Sequence, residues 1–146
     1  MRVLVIGGTG NISRGIVAAL LNQNHTVVLF NRGQHPDAPP TEVKVIHGDR
    51  RNREDFEQKM HAEKFDVVID MISFNADDAA SALRAFRGRV DNFIHCSTVM
   101  TYGPPFPYGG LNVDEDAPLN GQSAYGLGKI AADKLLLEAH AEDEFP

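Results

Sequence analysis

Apolar and polar positions along this chain fall into blocks rather than alternating residue by residue. Short runs that are apolar nearly throughout are separated by stretches in which apolar residues recur at helical spacing. The runs are Val3–Ile6, Thr26–Phe30, Val43–Ile46, Asp66–Asp70 and Asn92–Cys96. Each predicts a strand buried on both faces, because a strand with one wet face would alternate. The stretches between them predict helices. One passes through Ile16–Leu21 and exits at Asn22-Gln23-Asn24; the others are Glu54–Ala62 with Asn52 as N-cap, Ala76–Phe86 stopped by Arg87-Gly88, and Ser123–Ala141. Two segments dense in Gly and Pro, 32–40 and 99–121, read as irregular.

Apolar strands alternating with helices specify parallel βαβ units, and right-handed crossovers then order the strands 3-2-1-4-5. The expected fold is α/β, a Rossmann-like doubly wound parallel sheet of about five strands. A complete sheet of this type runs to six. Residues 1–146 are therefore expected to form one incomplete nucleotide-binding domain, truncated before a sixth strand and without its substrate-binding C-terminal part.

Composition narrows the partners. A chain of 146 residues can bury a core of its own, and a net charge of −6 argues against a nucleic-acid partner. No apolar run is long enough to span a bilayer. The first strand is expected to begin at Val3, so no signal peptide is expected. Cys96 is the only cysteine, so no disulfide is expected and a reducing cytoplasm is the natural location. The six histidines are scattered without ligand spacing, and no metal is expected.

The first candidate site is the turn after the first strand, Gly7-Gly8-Thr9-Gly10-Asn11-Ile12-Ser13. Glycines let backbone N–H groups approach a pyrophosphate, and the helix that follows offers unpaired donors at its N-terminus. Gly7, Gly10, Asn11 and Ile12 are the expected phosphate contacts. Ser13 stands where the fingerprint has its third glycine, the one that permits close helix–strand packing. A dinucleotide fold that prefers NAD carries an acidic residue at the end of its second strand. Here that place holds Asn31 and Arg32, so a guanidinium is available for a 2′-phosphate. This favours NADP over NAD, with Arg14 as a second candidate contact. After the third strand come Asp49 and Arg50, also placed at the cofactor; Asp49 suits an adenine amino group or, equally, a turn that satisfies its own backbone.

The second candidate site is Tyr125-Gly126-Leu127-Gly128-Lys129. Positions i and i+4 share a helix face, and an ammonium beside a phenol stabilises the phenolate, which suits Tyr125 to general acid–base work. Ser97-Thr98 lies at the carboxyl end of the fifth strand, where open α/β sheets bind ligands.

These pieces together resemble the extended branch of the short-chain dehydrogenase/reductase superfamily, the epimerases, dehydratases and related reductases. The resemblance rests on the glycine loop, on Tyr125-x-x-x-Lys129, on Ser97-Thr98-Val99-Met100-Thr101-Tyr102-Gly103, and on Asp114-Glu115-Asp116-Ala117-Pro118-Leu119. It implies hydride transfer with a nicotinamide, Tyr125 exchanging the substrate's proton and Lys129 holding the nicotinamide ribose. It places the active-site hydroxyl on Thr98, with Ser97 as the alternative, and passes Met71-Ile72-Ser73 close to the cofactor. It also implies a small-molecule substrate of nucleotide-sugar type and a homodimer. Val99-Met100 replaces the Asp-Glu that dehydratase members carry after the active-site threonine, which disfavours a sugar dehydratase. Asp70-Met71 also departs from the family's usual residues.

Two functions follow as expectations. The first is an NAD(P)-dependent epimerase or reductase, which the fragment alone would not perform. The second, from the altered loop and Asp70-Met71, is a sensor or scaffold that binds NADP without turnover.

Overall fold

A computed structural model describes residues 1–36, 38–104, 113–143 and 145–146. Five parallel strands form one sheet: β1 (Arg2–Ile6), β2 (Thr26–Asn31), β3 (Lys44–His47), β4 (Val67–Asp70) and β5 (Asn92–His95). Their order is β3-β2-β1-β4-β5, as the alternation of elements requires. The helices are α1 (Asn11–Asn22), α2 (Arg53–His61), α3 (Ala76–Phe86) and α4 (Ala124–Asp143). A 3₁₀ turn, Val99–Thr101, follows β5 and was not expected from the sequence. Residues 105–112 of the irregular segment and residue 37 of the loop after β2 lie outside the described residues.

The pleat explains why the central strands are apolar on successive positions through their middles. Val3 and Val5 of β1 pack into one cluster with Val27, Leu29 and α1's Val17. Leu4 and Ile6 pack into the other, with Val28, Phe30, Phe56 and the apolar faces of α3 and α4. Both faces are dry, but they are covered unequally. Among the described residues no helix links β2 to β3; α1 stands on one face while α2, α3 and α4 share the other. At the sheet's edges β3 and β5 are only half-buried.

The helix boundaries follow local chemistry. Asn52 caps α2 by accepting from the Asp55 amide, and Asn75 caps α3 by accepting from the Asp78 amide at 3.0 Å. Arg87 ends α3, and Gly88 follows with φ +67°, the left-handed conformation that glycine adopts without strain. The sheet's carboxyl ends all point the same way, so the turns after β1, β2, β3, β4 and β5 gather at one rim.

Candidate functional site

Four of those turns enclose a cleft of about 690 Å³. Gly7 comes from the turn after β1, Asn31 and Arg32 from the end of β2, Asp49 from the turn after β3, and Ile72 and Phe74 from the turn after β4. Gly7 adopts φ +95°, and a Cβ there would stand 2.8 Å from Ile72 Cγ2, so glycine alone fits both backbone and space. Gly10 caps α1 without a side-chain hydrogen bond, and the first turn of α1 carries no acidic residue. The amides of Asn11 and Ile12 thus begin a helix whose N-terminus has nothing anionic of its own. Ser13 is 4% exposed, so a serine is accommodated where the fingerprint has its third glycine. The cleft's size, its glycine floor and this helix end fit a dinucleotide.

The polar residues around the cleft divide by what they already hold. Asn31 Oδ1 accepts from the Gly33 amide at 2.8 Å, which shapes the turn that carries Arg32. Arg32 is exposed on the cleft. Asp49 Oδ1 accepts from the Arg51 amide at 2.9 Å, the turn geometry anticipated for it, while its carboxylate still borders the cleft. The Arg51 amide and guanidinium hold the Asp49 carboxyl below its usual pKa. Arg14 lines a separate cleft of about 560 Å³ between α1 and residues 38–42.

Arg50 borders the cleft although it is only 4% exposed, whereas Met71 is not among the residues that line it. The Arg50 guanidinium turns under the cleft floor, where it donates to the Asp78 carbonyl at 2.6 Å and to Ser81 Oγ at 3.1 Å. It also faces Asp70 at 3.3 Å and stacks over the Phe56 ring at 3.9 Å. Its charge is committed to protein groups. Met71 packs against the α1-side cluster, and the neighbouring Ile72 is the residue that lines the cleft.

Lys129 is buried beneath the start of α4, only 1% exposed. Its Nζ donates to the Cys96 carbonyl at the end of β5 and lies 5.5 Å from the centre of the Phe74 ring. Burial pulls the Lys129 pKa below its ordinary value; the carboxylates of Asp70, Asp133 and Asp78 counteract that in part. Tyr125 is 44% exposed, and its ring lies 6.1 Å from that of Phe74. Phe74 therefore touches both members of the pair and the cleft. Close approach depends on Gly128, where a Cβ would stand 2.5 Å from the Phe74 carbonyl oxygen.

Thr98 and Ser97 are used in opposite ways. Thr98 Oγ1 accepts from the Met100 amide at 3.3 Å, which leaves its hydroxyl proton available to donate. Ser97 Oγ donates to Asp133 Oδ2 at 2.6 Å. The sequence reading missed Asp133, whose signal was its place four residues beyond Lys129 on the same helix face.

A glycine-floored cleft at the carboxyl rim of a 3-2-1-4-5 sheet defines a dinucleotide-binding α/β fold. Residues 3–146 match the NAD dependent epimerase/dehydratase family, and the chain belongs to that family. It is 36% identical over 142 residues to 2′-dehydrokanamycin reductase of Streptomyces kanamyceticus, covering 97% of this chain and 39% of the reductase. Its fold is similar to that of the UDP-Glc/GlcNAc 4-epimerase of Campylobacter jejuni, with TM-score 0.83 and 21% identity, covering 98% of this chain and 50% of the other. It is similar also to dTDP-glucose 4,6-dehydratase of Bacillus anthracis in complex with NAD, with TM-score 0.81 and 20% identity, over 100% of this chain and 52% of the other. The chain thus spans about two fifths of that reductase and about half of those two enzymes. No helix among the described residues is long and apolar enough to cross a membrane.

Proposed function

We propose that this chain is the cofactor-binding part of an NADP-dependent reductase or epimerase acting on a carbonyl or alcohol carbon of a sugar. Its substrate is a nucleotide sugar or an aminoglycoside-like ketone, by analogy with the epimerase and the reductase it resembles. The observation that carries the reading is Phe74, which contacts the ring of Tyr125 and the ammonium of Lys129 while lining the glycine-floored cleft.

When bound, the nicotinamide supplies or accepts the hydride. The chain's own groups handle the proton. The Tyr125 hydroxyl donates to the substrate oxygen during reduction and takes the proton back in the reverse direction. Lys129, a cation beside it, stabilises the phenolate that remains. Thr98 supplies a second donor to the same oxygen, and Ser97, engaged by Asp133, does not. Gly7, Gly10, Asn11 and Ile12 hold the pyrophosphate. Asn31 and Arg32 hold the adenosine end, where a guanidinium without a neighbouring strand-end carboxylate suits a 2′-phosphate. Asp49 borders the adenine. A cytoplasmic location and a homodimer complete the proposal.

The test is Tyr125→Phe in the full-length protein. Turnover is followed by NADPH consumption with 2′-dehydrokanamycin and by interconversion of UDP-glucose and UDP-galactose. The expected result is a loss of about a hundredfold or more in turnover, with NADPH affinity unchanged. A Phe variant as active as its parent overturns the mechanism.

A further inference from the structure

Beyond the Lys129 bond to the Cys96 carbonyl, α4 makes a second attachment to the end of β5. Asp133 lies one turn past Lys129, and its two carboxylate oxygens meet two residues of the strand end. Oδ2 accepts from Ser97 Oγ at 2.6 Å. Oδ1 lies 3.0 Å from His95 Nε2, an ion-pair distance at an angle short of a hydrogen bond. His95 and Ser97 point to the same face because side chains alternate along a strand. Between them, the Cys96 carbonyl accepts from Lys129. Three consecutive residues at the end of β5 are therefore each tied to α4. Both acidic and basic partners are largely enclosed, the side chains of His95 and Asp133 being 11% and 20% exposed. Burial by itself would raise the Asp133 pKa; the contacts from His95 and Ser97 outweigh it and leave the carboxyl below its ordinary value.

We infer that Asp133 is a positioning residue: by holding Ser97 and His95 it locks the end of β5 onto α4, so that Thr98 keeps a fixed offset from Tyr125 and Lys129. The inference rests on the proposed roles of Thr98, Tyr125 and Lys129. Its physical reason is leverage. Thr98 is the next residue after Ser97, and its carbonyl and hydroxyl cap the 3₁₀ turn, accepting from Thr101 and Met100. A Ser97 released from Asp133 frees the segment immediately before that cap. The bond that prevents this is charge-assisted and therefore stronger than one between neutral groups.

Two readouts in the full-length protein test this, and the first needs no substrate. Amide hydrogen exchange at Met100, Thr101 and Tyr102 is compared in wild type, Asp133→Ala, Asp133→Asn and Ser97→Ala. We expect exchange to rise about tenfold in Asp133→Ala, with β1 and α1 unchanged. Unchanged exchange at those amides overturns the inference, whatever becomes of the proposed chemistry. The second readout is a double-mutant cycle on turnover with NADPH and whichever probe the wild type accepts. Asp133→Ala is expected to lower kcat about tenfold while the KM for NADPH stays within about twofold. Ser97→Ala added to it is expected to cost nothing further, because both act through one bond. Additive losses, or a loss confined to KM, overturn the inference. Where Asp133→Ala does not fold, Ser97→Ala carries both readouts, since it removes the same bond and leaves the Asp133 charge facing His95. Turnover that survives Tyr125→Phe would defeat the proposed chemistry and leave the exchange result standing.

Discussion

The Arg50 guanidinium and the Asp70 carboxylate face each other at 3.3 Å beneath the sheet's carboxyl rim, 4% and 0% exposed. Asp70 ends β4, and its other oxygen accepts from the Ile72 amide at 3.1 Å. Arg50 leaves the turn after β3 and reaches α3 through Ser81 and the Asp78 carbonyl. One buried pair thus ties the turns after β3 and β4, two walls of the cofactor cleft, to the helix behind them. An aspartate that departs from its family's habit has here a structural partner.

Removing one member of that pair leaves the other charged and buried. Arg50→Met or Asp70→Asn alone should cost about 3–5 kcal/mol of stability, and the two together clearly less than the sum. Urea denaturation of the four proteins checks this. A single variant within 1 kcal/mol of the parent, about the value of an exposed pair, would show that the pair is solvated.

Arg32 is exposed on the cleft, with the Asn31 side chain fixing the turn behind it. Arg32→Ala should weaken NADPH binding about tenfold or more while leaving NADH binding nearly unchanged, the loss of a charge-assisted contact to one phosphate. Fluorescence titration with both nucleotides decides it. Equal losses for the two would remove the 2′-phosphate from the account.

Gly128→Ala improves intrinsic helix propensity by about 1 kcal/mol, yet should destabilise. The added Cβ would sit 2.5 Å from the Phe74 carbonyl oxygen, and the backbone there cannot swing aside as a side chain would. A net loss of about 1–3 kcal/mol is expected from forcing α4 away from the turn after β4. Thermal unfolding measures it, and a midpoint above the parent's would contradict the packing described.

Lys129 carries a charge that burial disfavours, so its pKa lies below the ordinary 10.5. In the window between its folded value and 10.5 the unfolded chain binds the proton more than the folded one, and this group's contribution to stability rises with pH there. Lys129→Met should flatten that rise and, at neutral pH, leave the protein no less stable than its parent, although it removes the donor to the Cys96 carbonyl. Stability measured from neutral to alkaline pH tests both parts. A lower midpoint at neutral pH would mean that the hydrogen bond outweighs the cost of burying the charge.

Much of the fold was legible because its signals are local or periodic. Apolar runs marked all five strands to within a residue or so at each end, and α3 was bounded on Ala76 and Phe86, with Arg87-Gly88 as its stop. The glycine turn and the Tyr125–Lys129 spacing are likewise sequence patterns. Three features were not legible. The 3₁₀ turn after β5 depends on Thr98 capping across two residues in a stretch without periodicity. The inward turn of Arg50 depends on Asp70, Ser81 and Phe56, brought together only by packing. The Asp133 contacts join residues 36 apart in sequence, Ser97 and Asp133.

The sequence by itself determined the order of elements, the parallel sheet and which turns reach its carboxyl rim. Those properties follow from hydrophobic periodicity, from glycine's permitted conformations and from the handedness of crossovers, all of which act over short stretches of chain. The tertiary structure alone decided which charged side chain at the rim stays exposed and which is buried against protein groups. Arg32 and Arg50 each follow closely on a strand end and are identical in chemistry. Arg32 meets solvent and Arg50 meets an enclosed carboxylate, and the desolvation of a charge is tolerated only where a partner waits.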